Sequence, residues 1–211
     1  MNISSLLFAV LVPSIFMAFG ANFLNLSNNF QTILEAFTVG LLVISGASLL
    51  HGIEEKPFQK LKCAAGFISA IALIYIMSNK LTGGILTSLY IDSMSDGLLL
   101  GTMLAKLGSI KNLLPVIIPM TIEMMITASS SVSILNLSGK TDNVKHRVTL
   151  AAVILAVAIL CGGYLGKFLN KEYVVGFGAA SMLWLGLCEF IPEIVKNIKS
   201  KQETNTANLA I

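Results

Sequence analysis

The sequence predicts an all-α membrane protein, a single bundle of about seven transmembrane helices. Of its 211 residues, 55% are hydrophobic and only 12% are charged, whereas soluble domains carry about 25% charged residues. The mean hydropathy is +0.82. A helix needs about 20 apolar residues to cross a bilayer, and seven apolar segments of about that length follow one another along the chain. We therefore expect an integral, multi-pass protein of the cell membrane, with the lipid bilayer as a partner and no role in binding nucleic acid.

The first three predicted spans cover residues 3–23, 30–52 and 61–77. The first carries Pro13 in its middle, which predicts a kink. The amino end lacks a basic segment and an Ala-x-Ala cleavage site, so we expect this span to be retained. The second has a middle rich in Gly, Ser and Ala, and such small residues let membrane helices approach closely. The third ends before a short turn at residues 79–84.

The last four predicted spans cover residues 86–105, 113–137, 148–169 and 173–195. The fourth holds two aspartates, the fifth a glutamate followed by a run of hydroxyl side chains, and the seventh ends with acidic residues. Residues 1–195 thus form one transmembrane domain, and the polar segment 196–211 is expected to be a flexible tail. Seven crossings place the two termini on opposite faces. Lysine and arginine residues divide equally between the two sets of loops, so the positive-inside rule gives no orientation.

Two aspartates in the fourth span are the most informative residues. Asp92 and Asp96 are four residues apart, so they share one face of a helix. An ionised carboxylate at membrane depth costs roughly 2.5–3.5 kcal/mol even on the lenient insertion scale, and two on one face repel each other. No lysine or arginine lies within residues 86–105 to compensate them. A pair of protonated acids in a packed bundle is the structural alternative; the pattern favours a cation site.

Several other side chains could complete such a site. Glu123 lies in the fifth span, and Ser93 and Thr127 supply weaker oxygen donors. Glu189 lies in the last turns of the seventh span. The predicted ligands therefore comprise Asp92, Ser93, Asp96, Glu123, Thr127 and Glu189, with His51 and Glu55 at the end of the second span. The central donors are all oxygens, which suit Mn²⁺, Mg²⁺ or Fe²⁺, although Zn²⁺ also accepts carboxylates.

The cysteines give no alternative metal or redox site. Cys63, Cys161 and Cys188 all fall in apolar segments without a Cys-x-x-Cys spacing. We expect each of them to be a small buried residue and not a disulfide partner or a zinc ligand.

One short pattern occurs at the ends of two spans. Residues 49–55 (Leu-Leu-His-Gly-Ile-Glu-Glu) are similar to residues 187–193 (Leu-Cys-Glu-Phe-Ile-Pro-Glu). The second and seventh spans run in opposite directions, as the halves of an inverted-repeat transporter do. Chance similarity between two membrane helices is the alternative explanation.

Taken together, these motifs resemble the ZIP (Zrt/Irt-like) family of divalent-metal transporters. The fourth helix of that family carries His-Asn-x-Pro-Glu-Gly, an apolar run and a glycine, and residues 92–101 have the same spacing. The ends of its second and seventh helices are similar to His51–Glu55 and Glu189–Glu193. In its fifth helix, a His-x-x-x-Glu type of motif corresponds to Glu123 and Thr127.

The chain departs from the family pattern at several positions. Asp92 stands where the family has histidine, Ser93 where it has asparagine, Ser95 where it has proline and Thr127 where it has an acid. On the sixth helix, Ala156 occupies the place where many relatives have glutamate. The family usually has eight spans, and this chain shows seven. Its histidine-rich loop is reduced here to about residues 78–84.

The resemblance implies a carrier that moves a divalent cation of the Zn, Mn or Fe class without ATP, by an elevator-like motion of helices four and five against helices two and seven. We expect no enzyme activity and no cofactor, the metal ion being the substrate; a homodimer is left open. The main alternative is a non-transporting relative, a membrane scaffold or metal sensor. A further alternative is an acid-dyad intramembrane protease, although such a dyad usually draws its aspartates from two helices.

Overall fold

The structure, a computed structural model, describes residues 3–23, 28–53, 56–78, 84–107, 110–138, 143–166 and 168–199. These residues form helices α1 (Ile3–Phe23), α2 (Asn28–His51), α3 (Pro57–Ser78), α4 (Gly84–Leu107), α5 (Ile110–Ser138), α6 (Val144–Leu165) and α7 (Lys171–Leu183). Helix α7 continues through a π-helical segment, Trp184–Phe190, and then as ordinary helix to residue 199. Each predicted span coincides with one of these helices, and the all-α prediction is confirmed for this part of the chain.

Helix α4 differs from the other helices in its apolar content. Within the described ranges, six helices are long and apolar enough to cross a membrane, and α4 does not meet that condition. The prediction that the fourth segment is by itself apolar enough to cross a membrane is therefore wrong. Most of α4, including Asp92 and Asp96, is buried among the other helices. Since the surrounding helices shield α4 from lipid, its sequence does not need to be as apolar as theirs. The placement of the termini on opposite faces stays a prediction.

The helices divide into two groups. Helices α1, α4, α5 and α6 pack against one another, and we call them the four-helix group. Helices α2, α3 and α7 form the three-helix group. The most extensive contact in the molecule joins α4 to α6, and the next joins α3 to α7. Helix α4 also touches α3 and α7, so it lies where the two groups meet.

The outward surfaces of the helices are apolar, as expected for a protein that faces lipid. On α1 and α3, for example, Leu11, Ile15, Leu61 and Ile68 are each more than half exposed. Cys161 and Cys188 also lie on exposed surfaces, so the prediction that all three cysteines are buried is correct only for Cys63.

The last helix is longer than the predicted seventh span. Residues 196–199 continue it, and the division of the chain into a transmembrane domain and a flexible tail stays a prediction. The remainder of that segment, residues 200–211, lies outside the described residues.

Candidate functional site

Asp92 and Asp96 lie on the face of α4 that the neighbouring helices cover. Their exposed fractions are 5% and 3%. Two residues four apart project from successive turns on one side of the helix, so both carboxyls enter the same buried region. The sequence-based prediction of a shared face is borne out by this geometry.

Asp92 is held by a hydroxyl from the three-helix group. Ser181 of α7 donates a hydrogen bond from Oγ to Asp92 Oδ1 at 2.9 Å. Ser95 Oγ lies 2.9 Å from Ser181 Oγ and 2.8 Å from the carbonyl oxygen of Asp92. All three side chains are buried. A small hydrogen-bonded cluster therefore joins α4 to α7 at the level of the first aspartate.

Glu123 brings a third carboxyl from α5. Ser45 of α2 donates a hydrogen bond from Oγ to Glu123 Oε2 at 3.1 Å. Glu123 is close enough to interact electrostatically with both Asp92 and Asp96. In the part of the chain that the structure describes, the charged groups that act on the two aspartates are acidic, with no basic group among them. The region accordingly brings three acids together, with no basic neighbour among the described residues.

The backbone before Glu123 is also unusual. Pro115 and Pro119 lie inside α5, four residues apart. Because proline has no backbone N–H, Pro119 cannot donate the helical hydrogen bond to the carbonyl oxygen of residue 115. One turn before Glu123, α5 therefore lacks a backbone hydrogen bond, and such interruptions are tolerated in membranes where polar neighbours surround them.

Several oxygen atoms of this region have no hydrogen-bond partner among the described residues. They are Asp96 Oδ1, Glu123 Oε1 and Thr127 Oγ1. A buried polar atom without a partner is costly, and native proteins rarely leave it so without a ligand, a water or a proton to satisfy it. The orphaned atoms are carboxylate and hydroxyl oxygens, the donors that hard divalent cations prefer. Their chemistry fits a cation as the missing partner.

The same residues do not form a complete metal centre. Among the described side chains, no three of the types His, Cys, Asp and Glu come together in an arrangement that could hold a metal ion. Any cation bound here would therefore take part of its coordination from hydroxyl groups, from water or from a rearranged position of the carboxyls.

Four of the predicted ligands lie apart from this cluster or outside the described residues. Ser93 is buried, but its Oγ donates to Leu89 O at 2.8 Å and lies 3.9 Å from Met17 Sδ of α1. The structure thus directs Ser93 towards α1. His51 is exposed at the end of α2, and Glu55 lies outside the described residues.

Glu189 is placed at the beginning of α4, away from its two aspartates. Its Oε1 accepts a hydrogen bond from Trp184 Nε1 at 3.1 Å, and a methyl group added at Gly84 would overlap its carboxylate. Asp92 lies eight residues further along α4, a rise of about 12 Å. The structure therefore gives Glu189 a position beside the first turn of α4 and does not bring it to the central carboxyls.

Sequence reasoning missed three polar residues, two that hydrogen-bond the central carboxyls and one that lies further along α2. Ser45 and Ser181 hydrogen-bond the two carboxyls described above, and both lie in stretches of small residues that resemble ordinary helix-packing surfaces. Glu35 of α2 is only 3% exposed and accepts a hydrogen bond from Ser133 of α5. An acidic residue within an apolar segment was the available signal for Glu35. Neither a comparison with protein-family models nor a search of curated proteins finds a match to this chain.

Proposed function

We propose that this protein is a membrane carrier of divalent metal cations and that Asp92, Asp96 and Glu123 bind the transported ion. The observation that carries the proposal is the buried cluster itself, in which these acids act on one another without a basic neighbour among the described residues. Membrane-embedded acids are costly and usually mark ion or proton pathways. A divalent cation supplies the positive charge that such a cluster needs.

The donor set favours hard ions. Carboxylate and hydroxyl oxygens bind Mn²⁺ and Fe²⁺ well, whereas soft ions such as Cu⁺ prefer thiolate and thioether sulfur. We expect Mn²⁺ or Fe²⁺ to outcompete Cu⁺ for the purified protein at neutral pH, with Zn²⁺ also bound. A competition experiment in which Cu⁺ displaces the other ions would contradict this ligand assignment.

The arrangement of the helices is compatible with ZIP-like transport. The cluster lies between the four-helix group and the three-helix group, where Asp92 meets Ser181 and Glu123 meets Ser45. Helices α2 and α7 pack in opposite directions, since Leu49 lies near Gly178 whereas Leu42 lies near Gly186. An elevator-like movement of the four-helix group, and an inverted-repeat relation between α2 and α7, belong to this proposal. Both are inferred from the resemblance to the ZIP family.

The non-transporting scaffold or sensor is the second candidate. It is favoured by the lack of a complete three-ligand centre among the described residues and by the serines that already hydrogen-bond Asp92 and Glu123. In this reading the acids are protonated and serve packing. No structural observation favours an intramembrane protease, because Asp92 and Asp96 lie on one helix and the third acid is a glutamate.

The proposal is tested by metal accumulation in cells that express the chain, across a panel of divalent ions. Wild-type protein should raise accumulation of at least one ion, and Asp92→Asn and Asp96→Asn should each reduce that increase by tenfold or more. Glu172→Gln is the matched control, because it also removes one carboxylate charge but lies in the first turn of α7. Equal accumulation with wild type and both aspartate variants would favour the scaffold.

A further inference from the structure

Polar side chains meet at three levels of the contact between α2 and α5. Ser45 hydrogen-bonds Glu123 at 3.1 Å, and Thr38 Oγ1 lies 2.7 Å from Ser130 Oγ. At the next level, Ser133 donates to Glu35, and Gln31 donates to the same serine. We call this set of side chains the α2–α5 seam. Only its first pair belongs to the cluster already described.

The register of the seam is regular. Seven residues separate Thr38 from Ser45, and seven separate Ser130 from Glu123 in the opposite direction. Glu35 and Ser133 continue the same register three residues further along each helix. Two antiparallel helices therefore face each other through polar side chains at each of these levels. From Glu123 to Glu35 the series covers ten residues, or about 15 Å along the helix axes.

The seam leads from the central carboxyls towards one face of the membrane. Helix α2 begins at Asn28 and α5 ends at Ser138, so Glu35 and Ser133 both lie within two turns of those helix ends. Between the first and second polar pairs, α5 contributes Thr127, which is four residues from Glu123 and three from Ser130 and thus shares their side of the helix. Thr127 is 3% exposed, and its hydroxyl has no partner among the described residues.

Helix packing alone does not explain why the α2–α5 seam is polar. Hydroxyl pairs between membrane helices are common, and each stabilises the contact only weakly. A carboxyl within an apolar helix usually marks an ion or proton pathway, and Glu35 is such a group, only 3% exposed. The hydroxyl of Thr127 makes no helix–helix hydrogen bond among the described residues. Both features are expected where a hydrated cation passes, because each oxygen can replace a water molecule of its shell.

We propose that the α2–α5 seam is the route by which the cation moves between the central carboxyls and the membrane face where α5 ends, with Glu35 as a second carboxylate station. This inference rests on the proposed function. In the conformation described here the route is closed, because Thr38 and Ser130 are fully buried and hydrogen-bonded to each other. On α2, Leu42 occupies the position between Thr38 and Ser45 and is also buried.

The first test measures access to the seam without relying on transport. In a background with Cys63, Cys161 and Cys188 replaced by alanine, single cysteines are introduced as Ser130→Cys and Ser133→Cys. The matched controls are Ile134→Cys and Leu135→Cys, which are buried on the same turns of α5. A membrane-impermeant cationic thiosulfonate should modify the seam cysteines at least tenfold faster than the controls. Mn²⁺ should slow that reaction.

The second test measures the role of Glu35. Glu35→Gln should lower metal uptake at least threefold, and Glu35→Asp, which keeps the carboxylate, should restore most of it. The melting temperature of the purified Glu35→Gln protein without metal should stay close to that of wild type, because the glutamine keeps the shape of the side chain. This measurement shows that the variant is folded.

The results of these tests distinguish a failure of the proposed route from a failure of the proposed metal transport. One outcome would overturn the route alone: Asp96→Asn abolishes metal uptake, but the seam cysteines react no faster than Ile134→Cys. If Glu35→Gln leaves metal uptake normal while Asp96→Asn lowers it, Glu35 is not a second station. Another outcome would refute both proposals: Mn²⁺ does not slow the reaction of the seam cysteines, and Asp96→Asn leaves metal uptake unchanged.

Discussion

The α4–α6 contact and the α2–α5 contact join pairs of membrane helices by different means. Between α4 and α6, glycines bring the backbones together, since a methyl group added at Gly101 would overlap Ile159 O and the backbone at Gly163. Gly162 on α6 makes the reciprocal approach to Leu98 on α4. Between α2 and α5, hydrogen-bonded side chains form the contact described above as the seam.

The difference indicates which contact is fixed and which can change. Lipid tails are as apolar as the helix surfaces, so close van der Waals packing of small residues is a main source of helix association in membranes. A glycine contact fits only one geometry. A polar contact can exchange its hydrogen bonds for water or an ion without losing them altogether. The glycine contact lies within the four-helix group, whereas the seam joins the two groups.

The largest expected effect comes from Gly101→Ala. The added methyl group meets backbone atoms of α6, which cannot move aside as a flexible side chain can. We expect a loss of about 3 kcal/mol in the free energy of unfolding, measured by denaturation of the purified protein in detergent. Gly40→Ala is the control, because nothing lies within 4 Å of its added carbon. Equal stabilities of the two variants would contradict the rigid-contact account of α4 and α6.

Glu123→Gln should affect metal binding and leave the fold in place. The change keeps the shape of the side chain and its hydrogen bond from Ser45, but it removes one negative charge from the cluster. We expect a tenfold or greater rise in the Kd for Mn²⁺, equivalent to about 1.4 kcal/mol, by calorimetric titration. Glu172→Gln should retain the wild-type Kd. An unchanged Kd in Glu123→Gln would remove α5 from the site.

Ser45→Ala should have the smallest effect of the three. It removes one hydroxyl of the seam and the hydrogen bond to Glu123 Oε2, and the expected loss of unfolding free energy is about 0.6 kcal/mol. Ser69→Ala on α3 serves as the comparison, since Ser69 bonds only to the carbonyl oxygen of Ala65 in its own helix. A loss in Ser45→Ala as large as that in Gly101→Ala would show that the seam is a fixed contact.

Much of the fold followed from hydropathy, because each apolar run is long enough to define one helix. The predicted span 3–23 coincides with α1, and 113–137 falls within α5. The π-helical segment Trp184–Phe190 was not predicted, since its sequence has the same apolar character as the α-helical turns around it. Helix α4 was wrongly expected to be apolar enough by itself to cross a membrane, because burial by other helices cannot be read from one segment.

The site was predictable only where charge alone identified it. Asp92, Asp96 and Glu123 were singled out because acids are rare in apolar segments, and their role as ligands stays a prediction. Their partners Ser45 and Ser181 were not found, because the choice of a hydroxyl partner depends on how α2 and α7 are rotated against α4 and α5. The same rotation turns Ser93 towards Met17. Glu189 was placed among the ligands because of the motif around it, yet it lies beside the first turn of α4.

The most direct test of the central claim, that Asp92, Asp96 and Glu123 together bind a divalent cation, is the melting temperature of purified protein with and without Mn²⁺. A ligand at one hundred times its Kd stabilises the folded state by about 2.7 kcal/mol. Wild-type protein should therefore melt at a clearly higher temperature with the metal. Asp92→Asn and Asp96→Asn should lose most of that increase and, without metal, should be at least as stable as wild type because like-charge repulsion is relieved. If Mn²⁺ raises the melting temperatures of the wild type and of both variants equally, these aspartates do not form the metal site.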